Sequence, residues 1–353
     1  MALFATFITT PLVMAVYKPA RRAKMADYKY RTVESRSSNT ELRILACFHG
    51  WRNISSIINL LEVSRGVQKS DGLSVYAMHL TELSERSSAI LMVHKARKNG
   101  LPFRNRGQKL GSNLVVVAFD VFQQLSRVSV RPMTAISSMS DMHEDICTTA
   151  ERKRAAIIIL PLHKQQILDG SLETTRTDFQ LVNRRVLEQA PCSVGILVDR
   201  GLGGTTQVSA SNVSYVITVI FFGGCDDREA LAYGARMAEH PGVSLKVIHF
   251  LVKPEALGEI VRVHMDDETI NAVHEVRHCN LFLVGRLPEG EVALALSSSS
   301  DCPELGPVGG LLASSDFSTT AAVLVVQQYN SQVSLDLALQ NGNEFLGKDS
   351  ESN

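Results

Sequence analysis

Three residues in the second half of the sequence have the spacing of a zinc-dependent hydrolase. His274, Glu275 and His278 follow the pattern H-E-x-x-H, which on a helix places both imidazoles on one face beside a general base. Arg277, however, puts a charge between the ligands, and the predicted helix ends at Cys279. The nearby glutamates are scattered and supply no third ligand at a defined spacing. We therefore interpret the pattern as a chance match on a solvated helix, and we expect neither a bound metal nor enzymatic activity.

A second pattern is formed by Gly306 and Gly309, which are followed by Thr319 and Thr320. It resembles the nucleotide loop of universal stress proteins, Gly-x2-Gly-x9-Gly followed by Ser or Thr, in which backbone amides hold phosphates. Thr319 stands where the last glycine belongs, so a phosphate group would approach the backbone less closely. The alternative is a Gly/Pro turn before the last strand. These four residues are the candidate nucleotide site, and no resident cofactor is expected.

A third glycine-rich segment, residues 201–204, is not expected to bind phosphate. A phosphate loop must run directly into the N-terminus of a helix. Here the following residues, 207–214, are polar and β-prone. We therefore predict a linker between domains over residues 201–212.

The stretch from Val128 to His163 predicts a strand, a helix and a second strand. Asp141 offers an N-cap, and acidic residues in the first turn and basic residues in the last turn suit the helix dipole. Residues 155–160 are then apolar at every position, which indicates a strand covered on both faces. A strand–helix–strand crossover makes such strands parallel. The pattern therefore predicts a buried parallel sheet flanked by helices.

The same alternation continues through most of the chain. Further strands are predicted over residues 42–48, 73–80, 193–198, 215–222, 243–250, 281–284 and 321–326. Further helices are predicted over residues 53–63, 84–98, 114–125, 179–189, 226–239 and 269–278, with Asp226 as the cap of its helix. Residues 114–125 are ambiguous, because their valines favour a strand whereas their length and polar stripe favour a helix, which we prefer. A polar loop is expected from His163 to Thr177.

The restart of the alternation at Tyr215 indicates an internal repeat. The fold class that follows is α/β, with two Rossmann-like domains built on parallel sheets. The first domain is expected over residues 41–200, and the second, which has room for fewer strands, over residues 213–330. Residues 331–353 are a polar tail.

The N-terminal residues have the pattern of a membrane segment. Residues 2–17 are apolar, and the first charges follow them, at Lys18, Arg21, Arg22 and Lys24. This order is typical of a helix that leaves the membrane on its cytoplasmic side. We expect residues 1–17 to be the end of a transmembrane helix and residues 18–40 a basic linker. The four basic residues suit an anionic membrane surface.

Composition excludes one large class of partner. The 353 residues include 36 Lys and Arg and 36 Asp and Glu, so the formal net charge is zero. Nucleic acid is therefore not an expected partner, because phosphate-backbone binding needs an excess of basic residues. The six cysteines include no Cys-x-x-Cys pair, which indicates reduced thiols in a cytosolic setting.

Several long segments resemble the cytosolic C-terminal region of the plant cation/proton exchanger family. They are residues 73–100, 129–164, 182–205 and 304–329, and residues 4–22 resemble the end of the family's last membrane helix. The resemblance implies two universal-stress-protein-like α/β domains with a regulatory role. It also implies monovalent cation/proton antiport, chiefly of potassium, in a plant endomembrane or plasma membrane, with residues 18–353 facing the cytosol.

Two features depart from the family pattern. The antiporter domain is absent apart from residues 1–17, and the second α/β domain is shortened between Phe250 and Thr269. An antiporter needs an ionisable group within the bilayer, and residues 2–17 contain none. We expect this chain to be a regulatory module that moves no ions alone and acts with the membrane antiporter domain of a longer protein, with homodimerisation as a further expectation. The alternative is a soluble nucleotide-binding module similar to universal stress proteins.

Overall fold

The computed structural model describes most of the α/β region of the chain. The described residues are 31–36, 40–50, 53–65, 72–83, 110–126, 128–166, 172–174, 176–202, 215–250, 279–289, 302–314 and 321–330. The predicted transmembrane segment (1–17), the helices predicted over 84–98 and 269–278, and the polar tail lie outside them.

Strands and helices alternate along the chain, as the hydrophobic pattern predicts. The strands are β1 (Leu42–Phe48), β2 (Leu73–Glu82), β3 (Ser129–Ser137), β4 (Ile157–Pro161), β5 (Lys164–Gln166), β6 (Leu172–Thr174), β7 (Ser193–Val198), β8 (Tyr215–Phe221), β9 (Val243–His249), β10 (Leu281–Gly285) and β11 (Ala322–Gln327). The helices are α1 (Ile54–Val63), α2 (Leu110–Ser126), α3 (Met142–Lys153), α4 (Thr177–Gln189), α5 (Cys225–Ala238) and α6 (Gly306–Ala313), and a 3₁₀ turn (Pro303–Leu305) precedes α6. The ambiguous segment at 114–125 is helical, within α2.

Nine of the strands in the described residues form one sheet, in the order β3-β2-β1-β4-β7-β11-β10-β8-β9. Neighbouring strands are parallel throughout, except that β7 and β11 are antiparallel. The α/β class and the parallel pairing are therefore confirmed. The sequence pattern predicted two sheets, whereas the structure joins them edge to edge through β7 and β11.

The internal repeat is visible in the strand order. We refer to the chain through β7 as the first half and to the chain from β8 onward as the second half. In each half the second strand lies outside the first, and the last two strands lie toward the β7–β11 junction. Among the described residues, the second half has no counterpart of β3. The domain boundaries at 41–200 and 213–330 stay a prediction.

The core consists of two apolar layers, one on each face of the sheet. In β4, whose residues are all buried, Ile158 and Leu160 join one layer whereas Ile157 and Ile159 join the other. Both layers continue across the junction into the second half of the sheet. Burial on both faces explains why these strands are apolar at successive positions.

Two local predictions were wrong. The segment from His163 to Thr177 was expected to be a polar loop, but its described residues form the antiparallel pair β5 and β6. Asp226 was expected to cap its helix, but α5 starts at Cys225 after Gly224, and the Asp226 carboxylate binds elsewhere. Within the described ranges, we find no helix that combines the length and the apolar character needed to span a bilayer.

Candidate functional site

A cavity lined by described residues lies where the parallel strands of the second half end. Its volume is about 680 Å³, and residues from both halves line it. The lining residues are Arg184, Leu187, Glu188, Cys225, Asp226, Arg286, Leu287, Pro288, Glu289, Pro303, Glu304, Gln327, Gln328 and Asn330. Ligands of doubly wound α/β proteins bind outside the carboxyl ends of the strands, so this cavity is the candidate site.

Two adjacent carboxylates accept hydrogen bonds from the backbone at the ends of the strands beside this cavity. Asp227 Oδ2 accepts hydrogen bonds from the backbone N–H groups of Phe222 and Gly223, both at 2.8 Å, and Asp227 Oδ1 accepts one from Gly285 at 3.0 Å. Asp226 accepts from Leu287 at 3.0 Å and from the backbone N–H of residue 328 at 2.8 Å. Burial raises the pKa of both carboxyl groups, although these hydrogen bonds oppose the shift. Backbone amides that could hold a phosphate are thus already bound by the protein's own side chains.

The two glycines of the predicted nucleotide loop serve packing. Gly306 has a φ of 64°, and a Cβ there would lie 1.9 Å from the carbonyl oxygen of Arg286. Gly309 lies within α6, where a Cβ would lie 2.5 Å from Val325 Cγ2. The absence of a side chain therefore lets α6 approach β10 and β11 closely. Thr319 and Thr320 lie outside the described residues, so the four-residue nucleotide site stays a prediction.

Arg286 supplies positive charge at the cavity wall. Its Nη1 donates to Gln327 Oε1 at 2.8 Å, and its Nη2 lies 3.3 Å from the carbonyl oxygen of Pro303. Burial lowers the pKa of Arg286, while Asp226 and Glu304 act in the opposite direction. This pairing of opposite charges makes the cavity wall electrostatically mixed rather than a dedicated anion or cation site.

The thiol of Cys225 is held in its protonated form. Burial, followed by the charges of Asp226 and Glu289, raises the pKa of Cys225 to about 11. The thiol is therefore protonated at neutral pH, and only a thiolate is an effective nucleophile. Cys225 is therefore not an activated nucleophile.

A group of potential metal ligands joins the two halves. His163 follows β4, and Cys302 and Glu304 flank the start of the 3₁₀ turn; all three are at most 7% exposed, and their ligand atoms lie within 4.8 Å of one another. His163 Nδ1 is 2.7 Å from Glu304 Oε1. Burial acts to raise the pKa of Glu304, but the contact with His163 outweighs it and holds that pKa below its ordinary value. The imidazole and carboxylate thus stabilise each other directly, which favours a structural pair.

We predict that the purified chain contains no stoichiometric zinc. His163 and Glu304 already contact each other, and His274 and His278, which lie outside the described residues, follow the hydrolase pattern without a third ligand at a defined spacing. Elemental analysis after dialysis against a mild chelator measures this directly. One zinc per chain would contradict the prediction, and its loss in His163→Ala or in His274→Ala would identify which set of ligands binds it.

Sequence reasoning missed the residues that form this region. Glu304 appeared only as one of several scattered glutamates, and His163 only as the end of a strand. Asp226 and Asp227 carried a detectable signal, because two acidic residues follow a buried strand and a Gly-Gly-Cys turn. Their partners come from other strands and therefore could not be read from local spacing.

The strand order of the first half and the position of the cavity define a doubly wound α/β protein. A family model described as "Plant cation/H(+) antiporter domain" matches residues 75–202, and one described as "Plant cation/H(+) antiporter, C-terminal domain" matches residues 214–278 and 259–327. The chain belongs to the plant cation/H⁺ antiporter family, which confirms the resemblance seen in the sequence.

Three relatives from Arabidopsis thaliana show how much of the family's length is present. Cation/H(+) antiporter 18 is 62% identical over 94% of this chain and 46% of its own length. Cation/H(+) antiporter 17 is 49% identical over 100% of this chain and 50% of its own length. Cation/H(+) antiporter 19 is 52% identical over 94% of this chain and 45% of its own length. The chain thus spans about half the length of these relatives.

Two solved structures from Pseudomonas aeruginosa are similar to this chain at low sequence identity. A protein assigned to the universal stress proteins, from Pseudomonas aeruginosa UCBPP-PA14, is 12% identical, with a TM-score of 0.41 over 85% of this chain and 97% of that one. A protein of unknown function from Pseudomonas aeruginosa PAO1 is 11% identical, with a TM-score of 0.42 over 86% of this chain and 98% of that one.

Proposed function

We propose that this chain is the regulatory cytosolic portion of a monovalent cation/proton antiporter that exchanges chiefly potassium for protons and serves cation and pH homeostasis. The observation that carries the proposal is the match to Cation/H(+) antiporter 18, which covers 94% of this chain but 46% of the relative. A portion with this α/β fold is suited to binding and to conformational control.

The packing of residues 31–36 supports a coupling role. Arg31 Nη1 donates to the carbonyl oxygen of Pro191 in the first half and to the hydroxyl of Tyr329 in the second, both at 3.1 Å. The backbone N–H of Val33 donates to Glu229 Oε1 of α5 at 2.6 Å. The end of the predicted linker is therefore fixed where the two halves meet. A displacement of a preceding membrane domain would act on both halves at once.

The proposal includes the partners and the location of the chain. Its main partner is the membrane antiporter domain of a full-length protein in a plant endomembrane or plasma membrane, with residues 18–353 in the cytosol. Lys18, Arg21, Arg22 and Lys24 contact the anionic membrane surface, where each basic residue contributes about 1 kcal/mol of attraction. Homodimerisation, which light scattering of the purified chain measures, is part of the same proposal.

A chimaeric transporter tests the regulatory role. Residues 1–353 are fused to the preceding part of Cation/H(+) antiporter 18 and expressed in cells that lack potassium uptake, with growth at low potassium as the readout. We expect the fusion to restore growth, and deletion of residues 41–330 to change the rate or the pH dependence of exchange. Deletion of residues 331–353 is the matched control, because it removes a polar tail and leaves the sheet intact.

Two results would overturn the proposal. Residues 1–353 expressed alone are expected to give no growth at low potassium, so rescue by this chain alone would contradict a purely regulatory role. Unchanged exchange after deletion of residues 41–330, at every pH tested, would remove the regulatory role itself. Comparable expression of all forms is verified by immunoblotting of the membrane fraction.

The alternative, a nucleotide-binding module, leads to a separate prediction. We expect weak or absent ATP binding, because Gly306 and Gly309 are committed to packing and Thr319 replaces a glycine of the loop. Calorimetry with Mg-ATP measures the affinity. Micromolar binding that Thr320→Ala reduces would instead support the nucleotide-binding module. Gly309→Val is unsuitable as the test variant, since its side chain would collide with Val325.

A further inference from the structure

The turn after α5 contains a buried histidine whose two ring nitrogens have different surroundings. His240 is 7% exposed, and its Nδ1 accepts a hydrogen bond from the backbone N–H of Gly242 at 3.1 Å. Because a backbone N–H can only donate, Nδ1 carries no proton, and the ring carries its single proton on Nε2. The structure therefore holds His240 in its neutral form.

This hydrogen bond belongs to the turn that leads into β9. The backbone N–H of Val243 donates to the carbonyl oxygen of His240 at 2.9 Å. The carbonyl oxygen of Gly242 accepts from the N–H of Tyr215, the first residue of β8, at 2.7 Å. The pairing of β8 with β9 begins at Tyr215 and Val243. The His240 ring thus fixes the turn at the point where these two strands begin.

The other ring nitrogen lies against the first half. His240 Nε2 is fully buried and is 3.7 Å from Glu62 Oε1 of α1, which is too long for a hydrogen bond. Within the described residues, both Glu62 oxygens are buried without a hydrogen-bond partner, and Arg65 Nη2 is 3.6 Å from the same Oε1. The hydroxyl groups of Ser64 and Tyr233 are 2.8 Å apart. The contact of His240 with Glu62 is therefore part of the packing between the two halves.

The surroundings of this contact favour an uncharged imidazole. The charged and titratable side chains on the elements packed here are Glu62 and Arg65 of α1, Arg236 and Glu239 at the end of α5, and Tyr215 of β8. Burial lowers the pKa of His240, Glu62 opposes this shift, and Arg65 adds to it. Arg236 is buried about one helical turn before His240, whereas Glu239 is exposed. Two guanidinium groups thus counter the one buried carboxylate.

We propose that His240 is a pH-sensitive switch between the two halves, closed when the imidazole is neutral and opened when it takes up a proton. The added proton goes to Nδ1, the atom that accepts the Gly242 N–H, so this hydrogen bond is lost. Two N–H groups then face each other in the turn, and the ring carries a positive charge in a buried site. Movement of the ring into water relieves both effects and ends its contact with Glu62.

The direction of the response follows from the pKa of the two forms. In the closed form the pKa of His240 is below its ordinary value, whereas in the open form the ring is in water and titrates near about 6.5. The open form therefore binds more protons as the pH falls below about 6.5, and the closed form loses stability until the pH passes its own, lower pKa. One such histidine changes the opening equilibrium by at most about tenfold between about pH 7.5 and about pH 5.5.

The switch is a property of the chain itself, and only its use in regulation rests on the proposed function. In a regulatory portion of an antiporter, it would link the proton concentration around the chain to the contact between the two halves. The switch is measured on the isolated chain. Its failure would leave the regulatory role standing, and a negative result with the chimaeric transporter would leave the switch standing.

Hydrogen exchange of the full chain, followed by mass spectrometry and corrected for the intrinsic effect of pH, measures the opening. In the wild type we expect the peptide that contains Gly242 and Val243 to exchange about three- to tenfold faster at about pH 5.5 than at about pH 7.5. His240→Asn keeps an acceptor near the position of Nδ1 but cannot take up a proton, so its ratio should stay close to one. His249→Asn is the matched control, because His249 is an exposed histidine at the end of β9, and it should show the wild-type ratio.

Glu62→Gln tests the charge on the other side of the contact. It removes the carboxylate that favours a proton on His240 in the closed form, so its ratio should be larger than that of the wild type and approach about tenfold. A wild-type ratio close to one, an equal ratio in His240→Asn and the wild type, or a smaller ratio in Glu62→Gln would each overturn the proposal. The wild-type measurement needs no variant, so a variant that fails to fold does not protect the proposal.

Discussion

Replacing Asp227 with alanine is expected to lower the free energy of unfolding by about 3–5 kcal/mol, since each hydrogen bond to a charged group contributes about 1.5–3 kcal/mol and desolvation offsets part of the sum. Asp227 is 1% exposed and accepts three backbone N–H groups, from Phe222, Gly223 and Gly285. Alanine would leave all three donors without an acceptor at the ends of β8 and β10. Urea denaturation followed by circular dichroism gives the free energy.

Two further variants define the mechanism of this loss. Asp227→Asn keeps the shape but only one acceptor oxygen, so its loss should be intermediate. Asp178→Ala removes an exposed carboxylate near the start of α4 and should change the free energy of unfolding by less than about 0.5 kcal/mol. A loss below about 1 kcal/mol for Asp227→Ala would show that water replaces the carboxylate at little cost.

Replacing Glu304 with alanine should cost a similar amount, about 3–5 kcal/mol, because it leaves one member of a buried pair uncompensated. His163 Nδ1 lies 2.7 Å from Glu304 Oε1, and both side chains are at most 2% exposed. The pair connects the end of β4 to the turn before α6 and thus joins the two halves. A double-mutant cycle with His163→Ala measures the coupling, which should be at least about 1 kcal/mol.

The same pair predicts a pH dependence. The pKa of Glu304 is held below its ordinary value in the folded chain, so the folded state binds fewer protons there than the unfolded state. This contribution to stability is present above about pH 4.3, the ordinary pKa of a glutamic acid, and is lost as the pH falls through the folded value. Acid unfolding of Glu304→Gln should therefore be less steep than that of the wild type in this range. Equal slopes would contradict the assignment.

The local hydrophobic pattern was sufficient to predict most of the strands and helices, but it did not predict how the strands are paired. Residues 157–160 are apolar at every position, and the strand they form is buried on both faces, as predicted. The antiparallel pairing of β7 with β11 could not be predicted from the same pattern. A strand that is apolar on both faces does not indicate which strand it pairs with, or whether the pairing is parallel or antiparallel. The α6 helix was missed because its glycines resemble a ligand loop, whereas Gly309 serves close packing against Val325.

The candidate sites depended on contacts between residues that are distant in sequence. His163 and Glu304 come from different halves, so no spacing could indicate their pairing. Asp226 was interpreted as the cap of its helix, whereas it lies in the first turn of α5 and accepts backbone hydrogen bonds from Leu287 and Gln328.

The junction between β7 and β11 also determines where this chain can be divided. All six residues of β7 are buried, and its outer edge is paired with β11 from Val194 to Val198. A fragment that ends after β7 would expose this edge, and an unpaired strand edge is a template for another chain. Antiparallel pairing is compatible with two-fold symmetry, so two such fragments would replace the missing half with each other. A dimer of the isolated first half would therefore report an artificial exchange of partners, and biochemical work on this region has to retain both halves.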